Sequence, residues 1–176
     1  MATAPKFAPI LAAEGSLFDC FLKLDGIEGE ASDSKHKGEI EISSYSFGAA
    51  QSGGHAYGAG GGTGKVQLQD FHFFTRVNKS SPKLFKACAS GQHIKTALLT
   101  CRKAGGDQQE YLKIKFTDLL VSSYQGNGTT KGEVHPMDQV TLNFAKIEIE
   151  YHEQKPDGSL GGAINGGWDA KANKAI

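Results

Sequence analysis

Two pairs of carboxylates stand at a spacing that acid–base chemistry would use: Glu39 with Glu41, and Glu148 with Glu150. Residues two apart on a strand point to the same side, and two acids on one side could exchange protons with a substrate. Their neighbours argue against it. Ile40 and Ile42, and Ile147 and Ile149, take the opposite parity, so these acids read as the solvated faces of half-buried strands. Ser32-Asp33-Ser34-Lys35 and Ser80-Ser81-Pro82-Lys83 match the Ser-x-x-Lys pattern of acylated serine enzymes, without its companion motifs. Ser80 and Ser81 read instead as helix-capping residues. Gly64-Lys65 resembles the end of a phosphate-binding loop. Yet Ala59 replaces its leading glycine, Val66 replaces the magnesium-holding Ser or Thr, and a strand rather than a helix follows.

The metal and thiol chemistries fare no better. His36, His55, His72, His93, His135 and His152 lack metal-ligand spacing. Cys20, Cys88 and Cys101 are too few and too scattered for a disulfide framework or a zinc site, and are expected as free thiols in a reducing cytoplasm. Asn78-Lys79-Ser80 and Asn127-Gly128-Thr129 are formal glycosylation acceptors that carry no meaning without a secretory signal. No catalytic, cofactor-binding or metal-binding residue is expected, and the chain does not read as an enzyme.

Composition narrows the partners. Nineteen basic residues balance nineteen acidic ones in 176 residues, for a net charge of zero. That balance gives no electrostatic reason to expect nucleic acid or an anionic membrane, and weak self-repulsion favours self-association. No apolar run is long enough to span a bilayer, so no membrane insertion is expected. The N-terminus lacks the apolar core of a signal peptide.

The elements that would position functional groups are mostly strands. Residues 16–24 are apolar on both faces. Along 39–47 the apolar side changes after Ile42, so that Tyr45 and Phe47 face the other way. In 65–77 it changes between Leu68 and Phe71, and in 140–151 between Phe144 and Ile147. Such a slip means a bulge or a switch of the buried face. Residues 93–103 and 109–121 read as a hairpin around Gly105-Gly106-Asp107, and a short last strand is expected from Trp168 onward. One helix is expected, with Ser81 as N-cap, Pro82 in its first turn, Gly91 as its stop, and Leu84, Phe85 and Cys88 on its buried face. The fold class is therefore all-β with one flanking helix, as an antiparallel β-barrel or two packed sheets. A single domain over 16–176 would follow an N-terminal extension, 1–15.

Glycine makes up 23 of the 176 residues, with eight between positions 48 and 64, roughly twice the usual share overall. Long loops over 48–64 and 125–138 are expected to be functional or disordered.

A set of short segments, in order, then resembles one family. It comprises Phe21-Leu22-Lys23-Leu24-Asp25-Gly26, Asp33-Ser34-Lys35-His36, Ser44-Tyr45-Ser46-Phe47-Gly48, Gly64-Lys65-Val66 and Gln69-Asp70-Phe71. It continues with Ser80-Ser81-Pro82, Arg102-Lys103-Ala104-Gly105-Gly106, Leu142-Asn143-Phe144-Ala145 and Gly166-Gly167-Trp168-Asp169. The chain is similar to the hemolysin-coregulated proteins, Hcp, the tube subunits of bacterial type VI secretion systems, over about residues 18–176. Tyr45 and Phe47 replace tryptophans common in that family. The resemblance implies homohexameric rings that stack into a tube, shield small effector proteins in the lumen, and work with a spike protein and a contractile sheath. It implies synthesis in a bacterial cytoplasm and export without a signal peptide.

Ser46 matches a position on the family's channel wall and is expected to touch cargo. The glycine loop, with Gln51, Tyr57, Gly60 and Gly62, is expected to reach a neighbouring subunit or ring and become ordered there. Two other readings remain open: a small β-barrel module that holds a ligand, and an enzyme whose groups converge in a pocket.

Overall fold

A computed structural model describes residues 18–51, 65–103, 108–130 and 135–176. Among the described residues the elements run β1 (Phe18–Leu24), β2 (Ile40–Ile42), β3 (Ser44–Ala50), β4 (Gln67–Arg76), α1 (Ser81–Ser90), β5 (His93–Lys103), β6 (Glu110–Asn127), β7 (Met137–Gln154), β8 (Leu160–Asp169) and β9 (Lys174–Ala175). Every strand pairing is antiparallel. The sheet order is β2-β1-β5-β6-β7-β4-β3, with β8 branching from β7 and β9 added to β8.

The two ends of that order are consecutive in the chain. Ile40–Ile42 pairs with β1 and Ser44–Ala50 with β4, so the chain changes partner at Ser43. There the Ser43 N–H donates to the Phe74 carbonyl at 2.8 Å, and Thr75 Oγ1 donates to the Glu41 carbonyl at 2.7 Å. These bonds pin the bend against β4. No ladder crosses the seam, so the sheet is not the closed barrel that stood as one expectation. It is the other, sheet halves packed face to face.

All three changes of buried side have a cause. The first is the partner change at Ser43. The second is a bulge: Ser46 pairs with His72 but Gly48 pairs with Gln69, which leaves one extra residue on β4. The third lies in a regular stretch of β7, opposite Asp118 on β6, whose backbone is left-handed at φ 57°. That kink lets Phe144 and Ile147 both turn inward.

Between the halves lies one apolar cluster. Phe71, Phe73, Phe116, Leu22, Leu99, Ile114 and Leu142 are fully buried in it. The Phe116 ring lies 4.6 Å from that of Phe71 and 4.8 Å from that of Phe144. Each such side chain contributes about 2–3 kcal/mol through area removed from water.

The helix starts one residue earlier than the capping pattern predicts. Ser80 is the N-cap and makes no side-chain cap bond. The Ser81 hydroxyl instead donates to the carboxylate of Asp138 and accepts from the Asn78 N–H. Pro82 fills the first turn and Gly91 ends it at φ 63°. Leu84 and Ala87 form its buried side, whereas Phe85 is 60% exposed, with its edge against Tyr124 at 5.8 Å. The predicted face was thus right at Leu84 and wrong at Phe85.

The last long strand begins eight residues before Trp168. Its glycines conceal it, and pairing with β7 holds it, from Gln154↔Leu160 to Lys146↔Asp169. At Gly167 a side chain would collide with Ile176 and with the Ile147 carbonyl, 2.8 and 2.9 Å from where its Cβ would stand.

Candidate functional site

Ser46 sits exposed in the middle of β3, on the side opposite Tyr45 and Phe47, which pack toward the core. Strand register carries its row across three further strands: Ser46 pairs with His72, His72 with Thr141, and Thr141 with Ser123. The row is bonded from His72 through Thr141 to Ser123. His72 Nδ1 and Thr141 Oγ1 are 2.9 Å apart. A bulge between Val121 and Ser123 adds Ser122 to this surface. Ser122 Oγ donates to Asp70 Oδ2 at 2.8 Å, and Asn143 Nδ2 donates to Asp70 Oδ1 at 2.7 Å. Small hydroxyls, an amide, an imidazole and a carboxylate thus share one sheet face. The parity of Phe71 and Phe73, both inward, was the signal that places Asp70 and His72 outward beside Ser46.

Of the other predicted contact residues, Gln51 lies exposed just beyond β3. Tyr57, Gly60 and Gly62, the N-terminal extension and the Gly105-Gly106 turn lie outside the described residues. Cys20 and Cys101, which look scattered in sequence, are register partners on β1 and β5. Glu148 pairs with Lys115 and Glu150 with His152, while Glu39 is bound to His36. Glu148 and Glu150 line one shallow pocket together with Lys113 and Lys115, and both are engaged by basic neighbours.

A second surface is apolar. Phe47, Gly48 and Ala49 from β3, Val66 and Leu68 near the start of β4, Ile147, Ile149 and Tyr151 from β7, and Ile164 and Trp168 from β8 line a groove of about 510 Å³. Ile164 is 61% exposed and Tyr151 42% exposed, and the two are register partners. Among the described residues, β9 covers the outer edge of β8 only at Trp168 and Asp169. Exposed apolar side chains around a groove beside a strand edge mark a contact surface.

The family model for the type VI secretion system effector Hcp matches residues 21–151. The chain belongs to the Hcp family. It is 44% identical to protein hcp1 of Pseudomonas aeruginosa over 157 residues, covering 88% of this chain and 96% of that one. It is 40% identical to Hcp1 from Salmonella typhimurium, whose crystal structure superposes with a TM-score of 0.76 and covers 92% of this chain and all of that one. A solved type six secretion system protein, 32% identical, reaches a TM-score of 0.85 over 90% of this chain and 99% of its own.

In this Hcp chain the segment that carries Asp33 and His36 closes the far end of the sheet. Gly29 lets it do so: the Gly29 N–H donates to the Gly38 carbonyl at 2.8 Å, and a Cβ there would sit 2.3 Å from the Glu39 carbonyl. Arg102, only 4% exposed, lies over the Phe21 ring at 4.8 Å. Its guanidinium reaches Asp33 at 2.7 Å and Asp19 at 3.3 Å. His36 stacks on Phe21 at 4.4 Å and contacts Glu39 at 2.9 Å and Glu110 at 3.4 Å. The Arg102 hydrogen bond, then the N–H of Lys35, hold the Asp33 carboxyl down at about 2. Arg102 is matched by Asp33 and Asp19 inside the chain, so the corner works as a clamp on the fold.

Proposed function

We propose that this Hcp chain closes into a six-membered ring through the apolar groove and the edge of β8. The rings stack into the inner tube of a type VI secretion apparatus, and the face around Ser46 turns toward cargo. The observation that carries the reading is the groove with Ile164 on its rim. A zero-charge chain has little self-repulsion to oppose docking there. A ring requires one patch to meet a different patch on its neighbour, and a groove flanked by an open strand edge suits such a contact. The polar face supports the second half of the reading. Its side chains are polar and mostly bonded to one another around the exposed Ser46, so a passing protein meets hydrogen-bonding groups without an apolar trap. The likeness to solved Hcp proteins supports export of the assembled subunit by the same apparatus, with effectors, spike and sheath as partners.

The test is mass in solution. Native mass spectrometry should give a six-subunit ring for the wild type and monomer for Ile164→Asp, which buries a charge in the contact. A wild-type monomer with a small molecule in the groove would replace the ring with the ligand-holding module. Ser46→Gln should leave the ring intact and lower co-purification of a cognate effector. Unchanged capture would remove the Ser46 face from the cargo path.

A further inference from the structure

We propose that Cys20 and Cys101 form a reversible cross-strand disulfide, open in a thiol-rich compartment and closed in an oxidising one. The two are directly opposed in the β1–β5 ladder. Opposed residues in an antiparallel pair have Cα atoms roughly 4.5–5.5 Å apart, inside the roughly 4.4–6.8 Å that a disulfide spans. Both side chains point the right way. Cys20 shares its parity with buried Leu22 and Leu24, and Cys101 shares its own with buried Leu99 and Ala97. The thiols therefore meet beneath the sheet inside the core cluster, and Cys101 Sγ is hydrogen-bonded to the Tyr45 hydroxyl at 3.7 Å. Cys88 is on α1 and has no opposed cysteine. Eighty-one positions separate the pair in sequence (101 − 20), so only the fold brings them together.

Their burial sets when they react. Cys20 is 6% exposed and Cys101 fully covered, so an oxidant reaches them when β1 lifts. The outer ladder of β1 is only the three residues of β2, and the Arg102 contacts to Asp19 and Phe21 pin the strand as well, so oxidation waits on local opening of this edge. Once β1 has lifted, the first of the two thiols to lose its proton displaces one thiol from a small-molecule disulfide such as oxidised glutathione and forms a mixed disulfide. The other cysteine then attacks the bonded protein sulfur and releases the second thiol. Two protein thiols are oxidised, one small disulfide is reduced, and the two protons leave on the released thiols. The cross-link ties an edge region to the centre of the sheet. That it closes after export rests on the proposed function. That it closes at all rests on the register alone.

The experiment uses the isolated full-length chain, so its outcome is independent of ring formation or export. The reduced protein is incubated with oxidised glutathione, denatured, alkylated with iodoacetamide, and analysed by intact mass and peptide mapping. The expected product carries one alkyl group, on Cys88, and a Cys20–Cys101 peptide that dithiothreitol separates. Its Tm rises by roughly 5–10 °C. Cys88→Ala keeps that rise and Cys20→Ala loses it. Three alkylated cysteines, glutathione adducts without the linked peptide, or a link through Cys88 would each overturn the proposal.

Discussion

The corner around Arg102 and the face around Ser46 are both polar surfaces on the same sheet, and they are satisfied in opposite ways. At the corner a loop folds over the sheet, and buried charges from distant segments meet: Arg102 of β5 with Asp33 of the loop and Asp19 of β1. At the Ser46 face nothing described folds over the strands, and the side chains bond to neighbours on adjacent strands, as His72 does to Thr141 and Asp70 to Asn143. A buried charge network is costly to disturb because its members cannot turn to water instead. A half-solvated row can exchange one partner for water, or for another protein, at small cost. One polar surface therefore holds the fold, and the other is left available for contact.

The largest expected effect separates them directly. Arg102→Ala strips Asp33 of its main partner and uncovers the Phe21 ring. It should cost about 3 kcal/mol, read as a lower urea midpoint with an unchanged slope. Arg102→Lys keeps the charge but loses the two-pronged contact, and should recover only part of that loss. A loss near zero for Arg102→Ala would mean that the corner is held by packing alone.

Acid should act through the corner as well. Asp33 titrates at about 2 in the folded chain against an ordinary 3.8. The unfolded chain therefore binds more protons between those values. The stabilising contribution is complete above the unfolded value, and it is lost as the pH falls through 3.8 toward 2. Asp118, held at about 2 by Lys171 and His93, adds to the same window. Urea midpoints measured from pH 5 to pH 2 should fall less steeply in Asp33→Asn than in the wild type.

How much of this was legible in the sequence follows from which interactions are local. The parity of Phe71 against Asp70 and His72 is local, and so is the Ser-Pro start and Gly91 stop of α1. Each gave the right element to within a residue or two, and the slips at Ser43, Asp70 and Ala145 marked real changes in the chain. The β8 strand was hidden because Gly161, Gly162, Gly166 and Gly167 carry no strand signal, and only the β7 ladder holds them extended. The Arg102–Asp33 bond and the Cys20–Cys101 opposition join segments tens of residues apart, which no periodicity reports. The helix face was misread at Phe85 because an aromatic at helical spacing looks like core until Tyr124 is seen to meet it at the surface. On the Ser46 face, the placement of Ser122 depends on a bulge in β6, and a bulge displaces a side chain without changing the run of residue types.

The smallest effect is the one that makes the contrast informative. Asp70 accepts two hydrogen bonds, from Ser122 and from Asn143. Asp70→Asn keeps one oxygen as an acceptor and removes the charge. Because the site is open to water, the stability change should stay within about 0.5 kcal/mol, a fraction of the Arg102→Ala loss. The same substitution removes the carboxylate from a surface that otherwise offers hydroxyls, an amide and an imidazole, so it should alter effector co-purification while the ring mass and the urea midpoint hold. A stability loss equal to that of Arg102→Ala would show that the Ser46 face is a second clamp. The distinction between a surface that holds the fold and one left open for cargo would then fail.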